Sequence, residues 1–251
     1  MSLKLAGKVA IVTGSSRSIG AAIAQRLAED GANVIINYLS NSQAADSVVD
    51  GINSKAAGKA VAVKADVSSS VGAAELIEAT IKAFGKLDIL VLNAGIMGSK
   101  VLADVDEQFF DSHIQVNVKG PLFLSKAAAP LLPSGGRIIF FSSSLTKASS
   151  VLPNALVYVA SKGAIEQISR VLAKDLGARG ITVNTVSPGP VDTALFREGK
   201  TEQQIQFIAG LHPAKRLGTP DEIAPAVAFL ASPDATWVNG QNLLVNGGFV
   251  V

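Results

Sequence analysis

The chain has 251 residues, 48% of them apolar and 17% charged, and it contains no cysteine. That length allows one large domain with a sizeable core. The composition excludes disorder, and the missing thiols exclude a disulfide scaffold or a zinc–thiolate centre and fit a reducing cytosol. With 22 basic and 20 acidic residues the net charge is +2, and the basic residues are scattered, which argues against an electrostatic nucleic-acid binder.

No targeting segment is read between Met1 and Gly14, where the apolar run Val9 to Val12 is far shorter than a signal-peptide core. The uncharged stretch Ala235 to Val251 is broken by Asn239, Gln241, Asn242, Asn246 and glycines, so it does not read as a bilayer-spanning helix. The expectation is a cytoplasmic protein acting on a small molecule.

Short apolar runs recur along the chain: Val9–Val12, Val34–Ile36, Val61–Val63, Ile89–Leu92, Ile138–Phe141, Ile181–Val186 and Leu243–Val245. They are continuous rather than alternating, as strands buried on both faces of a parallel sheet should be. Patterns of helical period lie between them, the first being Ile19-Ala22-Ile23-Arg26-Leu27 with Gly31 at the C-terminal cap position. A helical pattern from Val105 to about Leu132 is interrupted by Pro121, which predicts a kink near Gly120-Pro121. Another runs from Leu156 to Leu176. Thr219-Pro220-Asp221-Glu222 reads as a capping box, and Thr201…Gln204 as a weaker one.

Pro188 to Thr219 reads as a long irregular zone without a strand signal, the kind of segment that forms a lid. Strand–helix alternation without a linker or repeat predicts one domain, residues 1–251. The fold class is α/β, a Rossmann-type doubly wound parallel sheet of about seven strands with helices on both faces, and a substrate lid around 188–219.

After the first strand comes Thr13-Gly14-Ser15-Ser16-Arg17-Ser18-Ile19-Gly20, then a helix. A strand, a tight glycine turn and a helix N-terminus direct backbone N–H groups at a phosphate. An NAD site would place an acid at the end of the second strand. Here Asn37-Tyr38-Leu39-Ser40-Asn41 stands there, and no acid occurs before Asp46. Arg17, Ser40 and Asn41 suit a ribose 2′-phosphate, hence NADP(H).

Tyr158 and Lys162 are four apart on a helix, one turn from each other on one face. A phenol ionises near about pH 10, and the neighbouring ammonium is expected to lower that value so that the pair exchanges a proton near neutrality. The strand Ile138–Phe141 ends in Ser142-Ser143-Ser144, at the crevice where open α/β sheets bind ligands. The nucleophile elbow of a hydrolase is missing. His113 and His212, the only histidines, are read as structural or surface residues, and no metal site is expected.

Thr13-Gly14…Gly20, Asp66-Val67, Asn93-Ala94-Gly95, Asn117, Ser144, Tyr158-x-x-x-Lys162, Pro188-Gly189 and Thr193 occur in this order over nearly the whole chain. Together they resemble the short-chain dehydrogenase/reductase family. Asn37-Tyr38 and the Ser144-to-Tyr158 spacing look most like NADPH-dependent ketoreductases of the 3-oxoacyl reductase and fungal naphthol reductase type. The resemblance implies that Tyr158 is the general acid in carbonyl reduction, that Lys162 binds the nicotinamide ribose, that Ser144 polarises the carbonyl (with Ser143 as the fallback), and that Asn117 holds a relay water through its main chain. It further implies that Gly14, Arg17, Ser18, Ile19 and Gly20 cradle the phosphates and that Asp66 and Val67 flank the adenine. Asn93, Ala94 and Gly95 would lie near the adenosine ribose, and Pro188, Gly189, Val191 and Thr193 near the nicotinamide.

Ser18 stands where the family has glycine. The family also implies a homotetramer, and the apolar end Phe249-Val250-Val251 fits burial at an interface. The other class of function open to this sequence is a cofactor-sensing or scaffolding protein of the same fold that has lost turnover. The walls expected around a substrate are Ile96 to Ser99, Leu145 to Leu156 and the segment after Pro188. They are mostly apolar or small, which fits an apolar or aromatic carbonyl compound.

Overall fold

The computed structural model describes residues 3–251. Seven strands form one parallel sheet in the order β3-β2-β1-β4-β5-β6-β7. They are β1 (Val9–Val12), β2 (Asn33–Tyr38), β3 (Ala60–Lys64), β4 (Ile89–Leu92), β5 (Arg137–Phe141), β6 (Thr182–Pro188) and β7 (Asn242–Val245). Every residue of β1, β4, β5 and β6 is buried, which is why these runs carry no polar alternation.

The pleat divides the core into two layers. Val12, Val34, Ile36 and Ile139 face α1 (Ser18–Glu29) and α9 (Pro220–Ala231), where they meet Ile23, Leu27, Ile223 and Val227. Ile11, Ile35, Leu90, Ile138 and Phe140 face the opposite side. There α3 (Ser70–Phe84), α5 (Gly120–Ala128) and α6 (Leu156–Gly177) contribute Leu76, Leu124 and Ile165. Full burial of one such side chain stabilises the fold by about 1.5–3 kcal/mol relative to exposure. The helix α2 (Ser42–Lys55) covers β2 and β3. Strand order reverses between β1 and β4, so the crevice above their C-terminal ends is the ligand-binding position of this topology.

Two local expectations need correction. The helix before β5 does not simply kink at Pro121. The helix α4 (Glu107–Ile114) passes into a single π-helical turn, Gln115–Lys119, and α5 follows. Pro121 has no N–H for the Asn117 carbonyl four residues back. The chain widens one turn upstream instead, and the Gly120 N–H bonds to the Gln115 carbonyl, five residues back.

The segment 188–219 is not irregular either. It holds α7 (Ala194–Arg197) and α8 (Glu202–Leu211). The capping box of α8 is complete: the Thr201 N–H donates to Gln204 Oε1 at 2.8 Å, and the Gln204 N–H donates to Thr201 Oγ1 at 3.3 Å. A parallel bridge between Val191 and Gly218 closes the base of the segment. A single bridge and a four-residue helix are too short to leave a periodic signal in sequence.

Candidate active site

The glycine turn is shaped by close approaches. Gly14 has φ +61°, and a Cβ there would sit 3.1 Å from Ala94 Cα. A Cβ on Gly20 would fall 2.4 Å from the Gly14 carbonyl oxygen and 2.7 Å from Asn93 Nδ2. Asn93 Nδ2 donates to the carbonyls of Thr13 (2.9 Å) and Gly14 (3.2 Å), and the Ala94 N–H donates to Thr13 Oγ1 at 2.9 Å. The end of β4 is thereby tied to the turn after β1. Ser18 has a left-handed backbone at φ +52°, the region that favours glycine. That conformation costs a non-glycine residue about 1–2 kcal/mol, so the loop holds its shape against strain. Ile19 follows in the first turn of α1 and also lines the large cavity described below.

Asn37 is buried at the end of β2. Its Oδ1 accepts from the Gly14 N–H at 3.2 Å, and its Nδ2 donates to the Ala65 carbonyl at 3.1 Å. It braces the turn. Arg17 and Ser40 are exposed, and Arg17 forms no ion pair among the described residues. The Asn41 Oδ1 accepts from the Ala44 N–H at 2.9 Å and so caps α2, which leaves its amide N–H groups as the available donors. Asp66 Oδ1 accepts from the Ser68 N–H at 3.0 Å, and Val67 beside it is half-buried.

Tyr158, Lys162 and Glu166 descend one face of α6. Lys162 Nζ lies 5.8 Å from the Tyr158 ring centroid and donates to the Phe141 carbonyl at 2.9 Å. Burial brings its ammonium down to about 8. Tyr158 moves the other way. Burial pushes the phenol up to about 12, and the Ser143 hydroxyl offsets only part of that. The expected lowering by Lys162 is therefore overturned: removing the phenolate from water outweighs an ammonium held toward the β5 carbonyl.

The serine run resolves into separate roles. Ser142 Oγ donates to Glu166 Oε1 at 2.8 Å. Glu166 also accepts from the Thr146 hydroxyl and pairs with Lys147 at 3.0 Å. These partners hold its carboxyl below the usual range although it is buried. Ser143 keeps extended backbone at the end of the strand (φ −153°, ψ 143°) and is the hydroxyl beside the Tyr158 phenol. Ser144, favoured by spacing, opens a 3-10 turn. It is 1% exposed, and its Oγ lacks a partner among the described residues.

Asn117 sits in the π turn, and its side chain locks the loop after β4. Oδ1 accepts from the Ile96 N–H at 2.9 Å, and Nδ2 donates to the Ile96 carbonyl and to Ser161 Oγ, each at 3.0 Å. A Cβ on Gly95 would meet both Asn117 Oδ1 (3.2 Å) and Lys162 Nζ (3.3 Å).

These groups border a cavity of about 520 Å³ whose walls include Met97, Leu145, Leu152, Phe196 and Phe207. Pro188, Gly189, Val191 and Thr193 line it too, and Thr193 caps α7 through its hydroxyl, which accepts from the Phe196 N–H at 3.1 Å. Phe249 lines this cavity, with its ring 6.4 Å from that of His212. His212 accepts from the Ala214 N–H at Nδ1 (2.9 Å) and so donates from Nε2 to the Asn246 carbonyl (3.0 Å), which is a structural role. Phe249 is a wall residue that sequence reasoning missed, whereas Lys200 lies in the segment after Pro188 that it expected. The single available signal was the aromatic ring in an otherwise apolar tail.

The family profile described as Enoyl-(Acyl carrier protein) reductase matches residues 14–250. An uncharacterised oxidoreductase from Methylorubrum extorquens is 47% identical, with 98% of each chain covered. A probable tetrahydroxynaphthalene reductase from Zymoseptoria tritici is 40% identical, with 97% of this chain and 95% of that one covered. A crystal structure of a short-chain dehydrogenase from Burkholderia cenocepacia in complex with NADP superposes with a TM-score of 0.91 at 39% identity, covering 98% of this chain and 99% of that one. With its glycine turn, its Tyr158–Lys162 pair and these relatives over nearly its full length, the chain belongs to the short-chain dehydrogenase/reductase family of oxidoreductases.

Proposed function

We propose that the protein is an NADPH-dependent reductase of a ketone or aldehyde carbonyl, with Tyr158 as the proton donor. The observation that carries this reading is the Tyr158 phenol on the wall of a mainly apolar cavity, with the Ser143 hydroxyl and the Lys162 amine beside it. When bound, the reduced nicotinamide supplies the hydride. The residues present fit that cofactor: the crowded glycines of the turn leave backbone where a side chain would intrude, and the exposed Arg17 is available for a 2′-phosphate.

Gly14, Arg17, Ser18, Ile19 and Gly20 hold the phosphates in this account, while Ser40 and the Asn41 amide assist Arg17. Asp66 and Val67 flank the base, and Asn93 to Gly95 border the ribose. Lys162 would donate to the second ribose, and Pro188, Gly189, Val191 and Thr193 would border the nicotinamide carboxamide. Tyr158 donates its proton to the oxygen of the substrate carbonyl. Ser143, rather than Ser144, hydrogen-bonds to that oxygen and stabilises the charge developing on it. The Asn117 carbonyl, with no N–H from Pro121 to accept, holds a water that passes a proton back toward Lys162.

The segment from α7 to α8 covers the cavity as a lid. A homotetramer is supported by exposed apolar side chains such as Trp237, 98% exposed, and Phe229, 43% exposed. NADPH oxidation with a panel of aromatic ketones tests the reading. It predicts the corresponding alcohols as products. A protein that binds NADPH and reduces none of them would instead be a cofactor-sensing member of the family.

A further inference from the structure

The charge lining the cavity has one sign. Lys162 and Lys200 border it, and no carboxylate does. Lys162 is committed to the Phe141 carbonyl. Lys200 Nζ has no hydrogen-bond acceptor or ion-pair partner among the described residues. It follows Gly199, which turns the chain at φ +69° between α7 and α8, and it is half-buried. Its Nζ lies 4.9 Å from the centroid of the Phe196 ring, another wall of the same cavity.

Two of the acids nearby in sequence, Asp192 and Glu202, belong to another partner. Arg197 holds Asp192 through contacts of 2.6 and 3.0 Å and reaches Glu202 at 3.4 Å. Glu198 acts on Lys200 only through space, and burial lowers the Lys200 pKa. Among the described residues Lys200 therefore has neither an ion pair nor a side-chain hydrogen bond. An ammonium partly stripped of water and lacking a counter-ion is unfavourable until an anion arrives.

We infer that Lys200 is a specificity-determining residue and that the cavity takes an aromatic carbonyl compound bearing an anionic group, a carboxylate or an ionised phenol, which pairs with Lys200. Phe196, Phe207 and Phe249 offer edges and faces to the ring system. The carbonyl half of this inference rests on the reductase reading above, whereas the recognition of the anion does not need turnover. The other candidate anion is a phosphate of the cofactor, and the experiment separates the two.

The test is calorimetric titration of 2-naphthoate and of its neutral isostere 2-naphthamide into the full chain saturated with NADPH. Neither ligand carries a ketone, so binding alone is read. The parent protein should bind naphthoate at least about 10-fold more tightly than naphthamide, the low end of what a charge-assisted hydrogen bond supplies. Lys200→Met should bring the two affinities together by weakening naphthoate, with NADPH affinity unchanged. The inference is overturned if the parent shows no preference or binds neither ligand. It is equally overturned if the preference survives Lys200→Met, or if the variant's main loss is in NADPH affinity, which would give Lys200 to the cofactor. Failure of the reductase reading looks different: naphthoate preference would persist while 6-acetyl-2-naphthoate, which carries both the anion and a ketone, elicits no NADPH oxidation.

Discussion

Two hydroxyls border the cavity and compete for the carbonyl oxygen, and the proposal gives the role to the one beside the Tyr158 phenol. Ser143 continues the extended strand beside Tyr158, while Ser144 opens the 3-10 turn, lines the same cavity and keeps an unpartnered Oγ. Ser143→Ala should lower kcat by roughly 10²-fold or more, as loss of one oxyanion donor does, and Ser144→Ala should stay within roughly tenfold of the parent. Steady-state kinetics of the two variants settle the assignment, and the reverse order would return the role to Ser144. The spacing to Tyr158 could not distinguish them, because spacing says nothing about where a strand ends and a turn begins. Titration follows similar logic. Lys162 loses its proton near 8, well before Tyr158 does near 12. The protonated amine is the form that donates a charge-assisted bond to a ribose hydroxyl, so its contribution to NADPH affinity is present below about 8 and fades above it. A plot of NADPH Kd against pH should break upward there, keep the break in Tyr158→Phe and lose it in Lys162→Met. A break that vanishes with Tyr158→Phe would assign it to the phenol.

At the scale of elements, the apolar runs of β1, β4, β5 and β6 were legible because a strand buried on both faces has little choice of composition. Between Pro188 and Thr219 only the Thr201…Gln204 cap of α8 was legible, since α7 is a single turn and the Val191–Gly218 bridge is one residue pair. The π turn lies between these cases. Pro121 marked a break in the helix, yet its consequence falls one turn earlier, around Asn117. Pro121→Ala restores an N–H within reach of the Asn117 carbonyl. The account expects the π turn to tighten toward α-helix and kcat to fall several-fold while NADPH affinity holds, checked by a crystal structure of the variant together with its kinetics. A regular helix with unchanged kcat would remove Asn117 from the proton path.

At the scale of the molecule, the sheet order sets the crevice, and the turns at its rim set which nucleotide fits. Asn37 occupies the end of β2 as a brace, so discrimination against a 2′-phosphate by an acid is missing there. Ligand bound only to the native state stabilises it, by about 2.7 kcal/mol at a concentration 100 times Kd. NADPH at that level should raise Tm by several degrees, and NADH at the same concentration by clearly less. Arg17→Ala should shrink the difference by weakening NADPH. Equal shifts from the two nucleotides in the parent would contradict the assignment of Arg17, Ser40 and Asn41. No helix among the described residues is long and apolar enough to cross a membrane.

Tyr158→Phe tests the central claim most directly, because it keeps the ring in the cavity wall and removes only the proton donor. Single-turnover reduction of an aromatic ketone, measured with NADPH bound, should slow by about 10²–10⁴-fold, the usual contribution of a positioned acid, while NADPH Kd changes little. A rate within threefold of the parent would contradict the account.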